Sequence, residues 1–394
     1  MRGERRFNAF CIATTGAISI VACMIVLPFS AHAQTATSSE QGYVARAQVL
    51  SVLSDLPVNP PGTLPQSYNE FVTARIISGS ERGKTIEFQE YYTDGDGQKL
   101  SAGDIIYVGR FEQSGNDARA KIYSYYSLDH DRLPIVVFYL LLFFGVILYF
   151  GGKQGLRGLI SLAGGICFIV FLLLPGVLHG YSPLVLSIVV ASFVASLGAY
   201  ITHGFSRMTS SAIIGMILTI IGAALLAQLA VHFGNLSGVT DENAYNLLTS
   251  PYQNTVINFQ GLLLGGIIIG LLGVLYDAAI GQAVAVEELF RAGPHLSRVV
   301  IYERAIRIGR EHIGALVNTL VLAYVGASLP VMITLYESLQ GGNAYLPPIL
   351  NWEFVATEIV RTTVGATGLI LTIPITTLVA IWMLVPRTKE EVRV

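Results

Sequence analysis

From residue 133 to residue 385 the sequence alternates between apolar blocks and short polar stretches. Each block is about 20 residues long, which is the length that an α-helix needs to cross the hydrocarbon core of a bilayer. The pattern therefore predicts seven membrane-spanning helices. They fall near residues 133–151, 157–178, 183–202, 210–232, 257–280, 313–336 and 364–385.

Residues 34–132 are of ordinary polarity, and short runs in them alternate between apolar and polar positions. Such runs occur at 71–77, 84–88 and 104–108, and glycine-containing turns separate them. Alternation with a period of two residues is typical of β-strands that bury one face. We therefore predict a small all-β domain of the OB or SH3 type in front of the helical domain.

The first 33 residues have the features of a secretory signal. Three arginines precede an apolar segment at about 7–29, and Ala31-His32-Ala33 has the form of a signal-peptidase site. The apolar segment is longer than usual for a signal, so an uncleaved first membrane helix is the alternative interpretation. Both interpretations place residues 34–132 outside the cytoplasm.

Lysine and arginine are concentrated in every second loop of the helical domain. The predicted outer loops at 179–182 and 233–256 contain neither residue, and the outer segment at 337–363 contains only Arg361. Cytoplasmic loops of membrane proteins are enriched in both residues. The pattern predicts an extracytoplasmic β-domain at 34–132, a membrane domain at 133–386 and a cytoplasmic tail at 387–394. The predicted inner positive charges are Lys153, Arg157, Arg207, Arg291, Arg298, Arg304, Arg307, Arg310, Arg387, Lys389 and Arg393.

The composition excludes several classes of protein. Charged residues make up 13% of the 394 residues and hydrophobic residues 53%, and the net charge of -2 does not favour binding to nucleic acid. Three cysteines cannot form a disulfide scaffold. The sequence contains no nucleotide-binding loop, no serine-hydrolase motif and no zinc-protease motif. We therefore expect neither an enzyme nor a bound cofactor or metal.

Asp277 is a charged residue inside a predicted span. It shares one helix face with Gly266, Gly270 and Gly273, and the face continues to Glu288 beyond the span. Acidic residues inside the membrane are costly and often mark a path for ions or protons, whereas glycines allow another helix to approach closely. Asp277 is accordingly a candidate cation or proton site, or a structural anchor near the inner end of its helix. Glu288 is either part of that site or an exposed surface residue.

A second polar group opens the sixth predicted span. Glu311 and Asn318 are seven residues apart and share a face, and His312 lies on the neighbouring face. An asparagine in hydrocarbon requires a hydrogen-bond partner. The group is a candidate transport site, and hydrogen bonding between helices is the alternative interpretation.

Glu358 and Arg361 are spaced for an ion pair along one helix. A helix from 354 to 385 would be too long for a simple crossing. We therefore interpret 352–363 as a segment at the outer surface, with the last span beginning near Val364. In this interpretation the pair is structural and lies at the membrane interface.

Three sequence blocks are distinctive in the last part of the chain: GVLYDAAIGQ at 273–282 followed by VEEL at 286–289, IGREHIGALVNTLVLAYVGASLP at 308–330, and EIVR at 358–361 running into PITT at 374–377. They resemble the YibE/F-like family of bacterial membrane proteins. The resemblance is strongest between about 257 and 385, and an exported β-rich domain before the spans is similar to the same family. It implies a multispanning protein of the bacterial inner membrane, but neither a substrate nor a catalytic residue.

These features favour a permease or secondary transporter of a solute that the sequence does not identify. The alternatives are a membrane subunit of an ATP-driven transport complex and an envelope sensor or scaffold that uses the β-domain. The expected partners are the lipid bilayer, a solute or coupling ion, and either further copies of the chain or another membrane protein. Nucleic acid is not an expected partner.

Overall fold

The computed structural model describes residues 43–57, 67–93, 99–113, 122–249, 256–340 and 349–386. The predicted signal at 1–33 and the predicted tail at 387–394 lie outside the described residues. The chain divides into two compact units, one ending at Phe150 and the other beginning at Gly151.

The first unit contains a five-stranded antiparallel sheet. Its strand order is β3-β2-β1-β4-β5, and β3 also lies against β5, so that the sheet curls into a barrel-like form. Inward positions alternate with outward ones, as on any pleated strand. The prediction of a small all-β domain is confirmed. The strands are β1 (Tyr43–Pro57), β2 (Ser67–Ile76), β3 (Thr85–Thr93), β4 (Ile105–Gln113) and β5 (Ile122–His130).

The core of the sheet is apolar and consists mainly of small and β-branched side chains. Residues 45, 47 and 49 of β1 all point into it, because alternate side chains of a strand lie on the same face of the sheet. The buried residues are Ala45, Ala47, Val49, Val72, Ala74, Ile76, Ile86, Phe88, Leu100, Ile106 and Val108.

Arg110 joins three parts of this unit. Its guanidinium lies 4.3 Å from the ring centre of Tyr43 and 4.2 Å from that of Tyr123. Its Nη1 also forms an ion pair of 2.9 Å with Oε1 of Glu81. Stacking between aromatic rings suits the planar guanidinium. Arg110 therefore ties β4 to the first and last strands and to the turn before β3.

Two glutamates face each other on neighbouring strands of the sheet. Glu70 of β2 is paired in register with Glu90 of β3, and only 1% of Glu70 is exposed. Burial raises the pKa of the half-buried Glu90 carboxyl, and the nearby charge of Glu70 raises it further. The folded sheet therefore holds the Glu90 proton more tightly than the unfolded chain does.

We expect replacement of Glu90 by glutamine to stabilise the sheet at neutral pH. A raised pKa in the folded state gives stability that is complete below the pKa of the unfolded chain and is lost as the pH rises through the folded value. Glutamine does not ionise, so the Glu90→Gln variant does not lose this stability as the pH rises. Hydrogen exchange of strands β2 and β3 in the whole chain should be slower in the variant at about pH 7, and equal in both proteins at about pH 4.

The matched control is Glu87→Gln, because Glu87 lies on the same strand and points outward. This variant should leave exchange unchanged at both pH values. Equal exchange rates for Glu90→Gln and the unaltered chain at neutral pH would contradict the proposed linkage.

The second unit is helical. The first helix starts in the first unit, and a short π-helical segment, Ile169–Leu173, separates it from the next. The helices are α1 (Leu133–Phe168), α2 (Leu174–Leu178), α3 (Pro183–His203), α4 (Arg207–Phe233), α5 (Glu242–Thr249), α6 (Phe259–Ala292), α7 (Arg298–Ala327), α8 (Leu329–Gln340) and α9 (Glu353–Leu384).

Among the described residues, five helical stretches are long and apolar enough to cross a membrane, or six if a bent pair counts as one span. This indicates a membrane protein. The sequence predicted seven spans, and part of the difference lies in α1. The stretch Leu133–Leu178 contains 46 residues, whereas two separate spans were predicted there. Gly152, with φ 51° and ψ -129°, breaks the helix between those two predicted spans.

The remaining difference lies in the sixth predicted span. Instead of one helix at 313–336, the structure has α7 and α8, which meet at a bend of 71°. Pro330 supplies a physical reason, because proline has no N–H to continue the helix and restricts the residue before it. At its other end α7 begins at Arg298, so the basic inner segment and the start of the span form one helix.

The last helix also differs from the prediction. The sequence placed a boundary near Val364, but α9 is continuous over its 32 residues from Glu353 to Leu384. Glu358 and Arg361 are therefore part of the same helix as the apolar segment that follows them.

Contacts between the helices show the direction in which each one runs. Gly265 and Gly198 lie against Ser187 and Tyr276 respectively, so α3 and α6 are parallel. Gly309 of α7 lies against Gln282 of α6, and Gly270 of α6 lies close to Tyr324 of α7, so these two helices are antiparallel. Corresponding contacts place α9 parallel to α6 and antiparallel to α4.

Gln282 connects three helices inside the helical unit. Its side chain is 4% exposed, and its Nε2 donates to the Ala305 carbonyl of α7 at 2.8 Å and to Oγ1 of Thr377 of α9 at 2.7 Å. A buried amide is stable only when it is hydrogen-bonded. Gln282 therefore fixes the positions of α6, α7 and α9 relative to one another.

Candidate functional site

The junction of α7 and α8 interrupts the helical hydrogen bonding. Ser328 has φ -99° and ψ 15°, and its N–H donates to the carbonyls of Tyr324 and Val325 at 3.0 and 3.2 Å. The next helix starts at once, since the N–H of Met332 donates to the Ser328 carbonyl at 3.1 Å. Pro330 has no N–H, so the carbonyl of Gly326 lacks its usual helical donor. The junction therefore leaves a backbone carbonyl, that of Gly326, without its helical hydrogen bond within an otherwise apolar stretch.

Glu358 of α9 binds this junction. One carboxylate oxygen, Oε2, accepts a hydrogen bond of 3.1 Å from Oγ of Ser328. The other oxygen, Oε1, lies 2.9 Å from Nη1 of Arg361, and the two charged side chains are 25% and 31% exposed. The i,i+3 pair expected from the sequence is thus formed. It is joined to the break between α7 and α8 rather than to the surface of α9 alone.

Two further polar atoms near the junction have unused hydrogen-bonding capacity. Nε of Arg361 and Oη of Tyr324 are buried and have no hydrogen-bond partner among the described residues. Buried polar groups are nearly always satisfied by protein or by water. Arg361 and Tyr324 can therefore accommodate a water molecule or a polar group of a ligand.

A cavity of about 350 Å³ lies between the end of α7, α8 and the first half of α9. Ser328, Glu358 and Tyr324 are among its lining residues, and most of the remaining wall is apolar, with Val331, Met332 and Leu335 on one side. Small-molecule sites are typically apolar clefts of about 300–1,000 Å³ with a few polar groups that orient the ligand. The cavity has this character and is large enough for a small solute.

The structure places Asp277 on an open face of α6. Its side chain is exposed and forms no hydrogen bond or ion pair with any described residue. Gly266 and Gly273 on the same face are exposed, and a Cβ added to either would meet no atom within 4 Å. Asp277 does not line the cavity at the helix junction. Its role as a cation or proton site stays a prediction.

The other candidates from the sequence also lie away from that cavity. Glu311 and Asn318 are exposed, and Asn318 follows Gly309 by two and a half helical turns, which puts it opposite the packed side of α7. His312 is exposed and bonds through Nδ1 to the Ile308 carbonyl of its own helix at 3.0 Å. Glu288 is paired with Arg291 at 3.3 Å on α6. The transport role of these four residues stays a prediction.

A second cavity, of about 400 Å³, opens between α1, α3 and α6. Its wall is apolar except for Ser161, Thr202 and Tyr276, and the buried Oη of Tyr276 has no hydrogen-bond partner among the described residues. It contains no charged side chain. The cavity at the α7–α8 junction is therefore the stronger candidate site.

Neither Ser328 nor Tyr324 was predicted from the sequence to be a site residue, although both line the cavity. The signal for the first was present, because Ser328-Leu329-Pro330 combines a hydroxyl residue with a proline inside an apolar run. No comparable local signal marks Tyr324. Its position in the site depends on the contact between α7 and α9, which the sequence pattern did not specify.

The profile of the YibE/F-like protein family matches residues 139–386, which is more than half of the chain. The chain belongs to the YibE/F-like family. No curated protein and no solved structure matches it. The part shared with the YibE/F-like family runs from within α1 to the end of α9. The helix junction, the Glu358–Arg361 pair and the cavity therefore all belong to the segment that defines the family.

Proposed function

We propose that this YibE/F-like protein is a secondary transporter of a small solute in the bacterial inner membrane, with Glu358 at its central site. The observation that carries the proposal is the ion pair of Glu358 and Arg361, joined through Ser328 to a break in a helix beside a 350 Å³ cavity. No second feature of the described residues combines charge, broken helix and cavity in this way.

Glu358 is the sixth residue of the 32-residue helix α9, and charged groups within membrane spans are rare and usually functional. Irregular backbone within the membrane is tolerated only where it is buried in protein or lines a cavity. Secondary transporters use such discontinuous helices to present backbone groups to solutes and coupling ions. At the α7–α8 junction a break in the helix lies in hydrogen-bonding contact with a charged residue, Glu358 of α9.

In this proposal the site changes state through Glu358. Protonation of its carboxylate, or binding of a cation to it, weakens the bond to Arg361 and alters the contact with Ser328. Because Ser328 is the point at which α7 and α8 meet, this change is coupled to the angle between the two helices. Movement of α8 about the junction would then open the cavity to one side of the membrane or the other.

The proposed orientation follows from charge distribution and helix directions. Helices α3, α6 and α9 run one way while α4 and α7 run the other, as alternate crossings require. With the break at Gly152 counted as a turn between spans, and with α7 and α8 taken together as one broken span, the chain would cross seven times. We propose that the β-domain, which has the size and sheet architecture of an OB fold, is extracytoplasmic and that the C-terminus is cytoplasmic.

Solute-driven proton movement in proteoliposomes tests the function. Vesicles that contain a pH-sensitive dye would be exposed in turn to a panel of inorganic cations, organic cations and amino acids. We expect at least one solute to drive a pH change with the unaltered protein, and Glu358→Gln to abolish that change. Glu337→Gln is the matched control, because Glu337 is exposed on α8. Equal fluxes from Glu358→Gln and the unaltered protein would refute the assignment.

A further inference from the structure

The open face of α6 contains an unpaired acid among glycines. We define this face by Gly266, Gly270, Gly273, Asp277 and Gly281, which recur every three or four residues. A Cβ added to Gly266, Gly273 or Gly281 would meet no atom within 4 Å. The side chain of Asp277 is exposed. A carboxylate on an apolar helix requires a partner if it is to lie within the membrane.

A base without a partner lies beside this face on α7. Arg310 is exposed and forms no ion pair with any described residue. Arg310, Val317 and Tyr324 are spaced by seven residues and so share one side of α7. Tyr324 on that side lies 2.9 Å from the Cβ that Gly270 would carry, so this side of α7 borders the open face of α6.

The acid and the base also lie at similar depths. Gln282 of α6 touches Gly309 of α7, which is the residue before Arg310. Asp277 precedes Gln282 by five residues, which corresponds to about 7.5 Å along the helix. An arginine side chain can extend along an apolar surface while its guanidinium reaches a polar partner. Arg310 is thus positioned to meet a carboxylate at the level of Asp277.

We propose that a second copy of this chain docks on this face. A two-fold axis along the membrane normal keeps every residue at its own depth, and it brings α6 of one protomer against α7 of the other. Asp277 of each copy then pairs with Arg310 of its partner, and the surface is self-complementary in charge. The glycines of α6 allow the two helices to approach closely, as small residues do in membrane interfaces. This interface does not depend on the transport function.

Charge reversal tests the docking. Molecular mass would be measured on the whole chain in detergent, and subunits would be counted in liposomes. We expect the unaltered protein to be a dimer, Asp277→Arg and Arg310→Asp each to halve the mass, and the double variant Asp277→Arg/Arg310→Asp to restore the dimer. A monomeric unaltered protein, or a double variant that stays monomeric while it unfolds at the same temperature as the single variants, would overturn the proposal.

Disulfide trapping gives an independent readout that does not require a charge change. The three cysteines would first be replaced by serine. In a mixture of two single-cysteine chains, oxidation should then join Gly273→Cys of one copy to Val317→Cys of the other, because α6 meets α7 across the interface. A mixture of Gly273→Cys with Gly326→Cys should stay monomeric, since Gly326 is equally unobstructed but lies on another side of α7. Crosslinking in the mixture with Gly326→Cys alone would assign the contact to another surface and overturn the proposal.

Discussion

Replacing Glu358 by alanine is expected to destabilise the protein more than replacing Glu358 and Arg361 together. The single change leaves the Arg361 guanidinium without its anion, and its Nε already has no partner among the described residues. Removing one member of a fully buried pair costs roughly 3–5 kcal/mol. Because these side chains are 25% and 31% exposed, we expect about 1–3 kcal/mol here.

The measurement uses fluorescence during unfolding. The chain has two tryptophans, Trp352 and Trp382, which lie at the start and near the end of α9. Their emission therefore reports on the helix that carries the pair. Glu358→Ala should unfold at a lower temperature than the double variant Glu358→Ala/Arg361→Ala, and Glu358→Gln should lie between the single variant and the unaltered protein. If the double variant is the least stable, the argument from an unpaired charge is wrong.

Replacing Gly215 by alanine is expected to separate α4 from α9. A Cβ at this position would lie 2.9 Å from Cα of Thr376, closer than real Cβ contacts, so the helix backbones must move apart. Overpacking of this kind typically costs about 1–3 kcal/mol, even though alanine itself favours a helix over glycine. The tryptophan fluorescence of α9 should show the loss of stability.

Gly222 on the same helix provides the matched control. A Cβ there would meet no atom within 4 Å. Gly222→Ala should therefore raise stability by roughly 0.5–1 kcal/mol, because alanine loses less backbone entropy on forming a helix. Equal effects of the two substitutions would show that α4 and α9 do not meet at Gly215.

The apolar pattern was sufficient to predict most of the helices because their length is set by the bilayer. It also predicted the β-domain, since strands that bury one face alternate with a period of two residues. The continuous α9 and the broken sixth span were not predicted from it. Hydropathy does not distinguish a straight span from two helices that meet at Ser328, and Pro330 alone is compatible with either.

The site was predicted only in part. The spacing of Glu358 and Arg361 identified their pair, because positions three apart on a helix are neighbours. The contact between Ser328 and Glu358 could not be predicted from the sequence, because it joins residues 30 positions apart on different helices. The sequence pattern favoured Asp277 as a site residue, but in the single chain its side chain is exposed and lies outside the cavity. Periodicity identifies a helix face but does not show what covers that face.

Alternating access to the cavity at Ser328 is tested by labelling that cavity from each side of the membrane. In a cysteine-free chain, Thr362→Cys would place a thiol in the cavity wall, and Leu378→Cys would place one on an exposed part of α9 outside it. Vesicles of both orientations would be treated with a maleimide that does not cross membranes. We expect Thr362→Cys to react from both sides, Glu358→Gln to shift the ratio of the two reaction rates, and Leu378→Cys to show no such shift. The proposal that the cavity opens alternately to the two sides would be contradicted if Thr362→Cys reacted from one side only. In that case the rate would also be the same in the chain with Glu358 and in the Glu358→Gln variant.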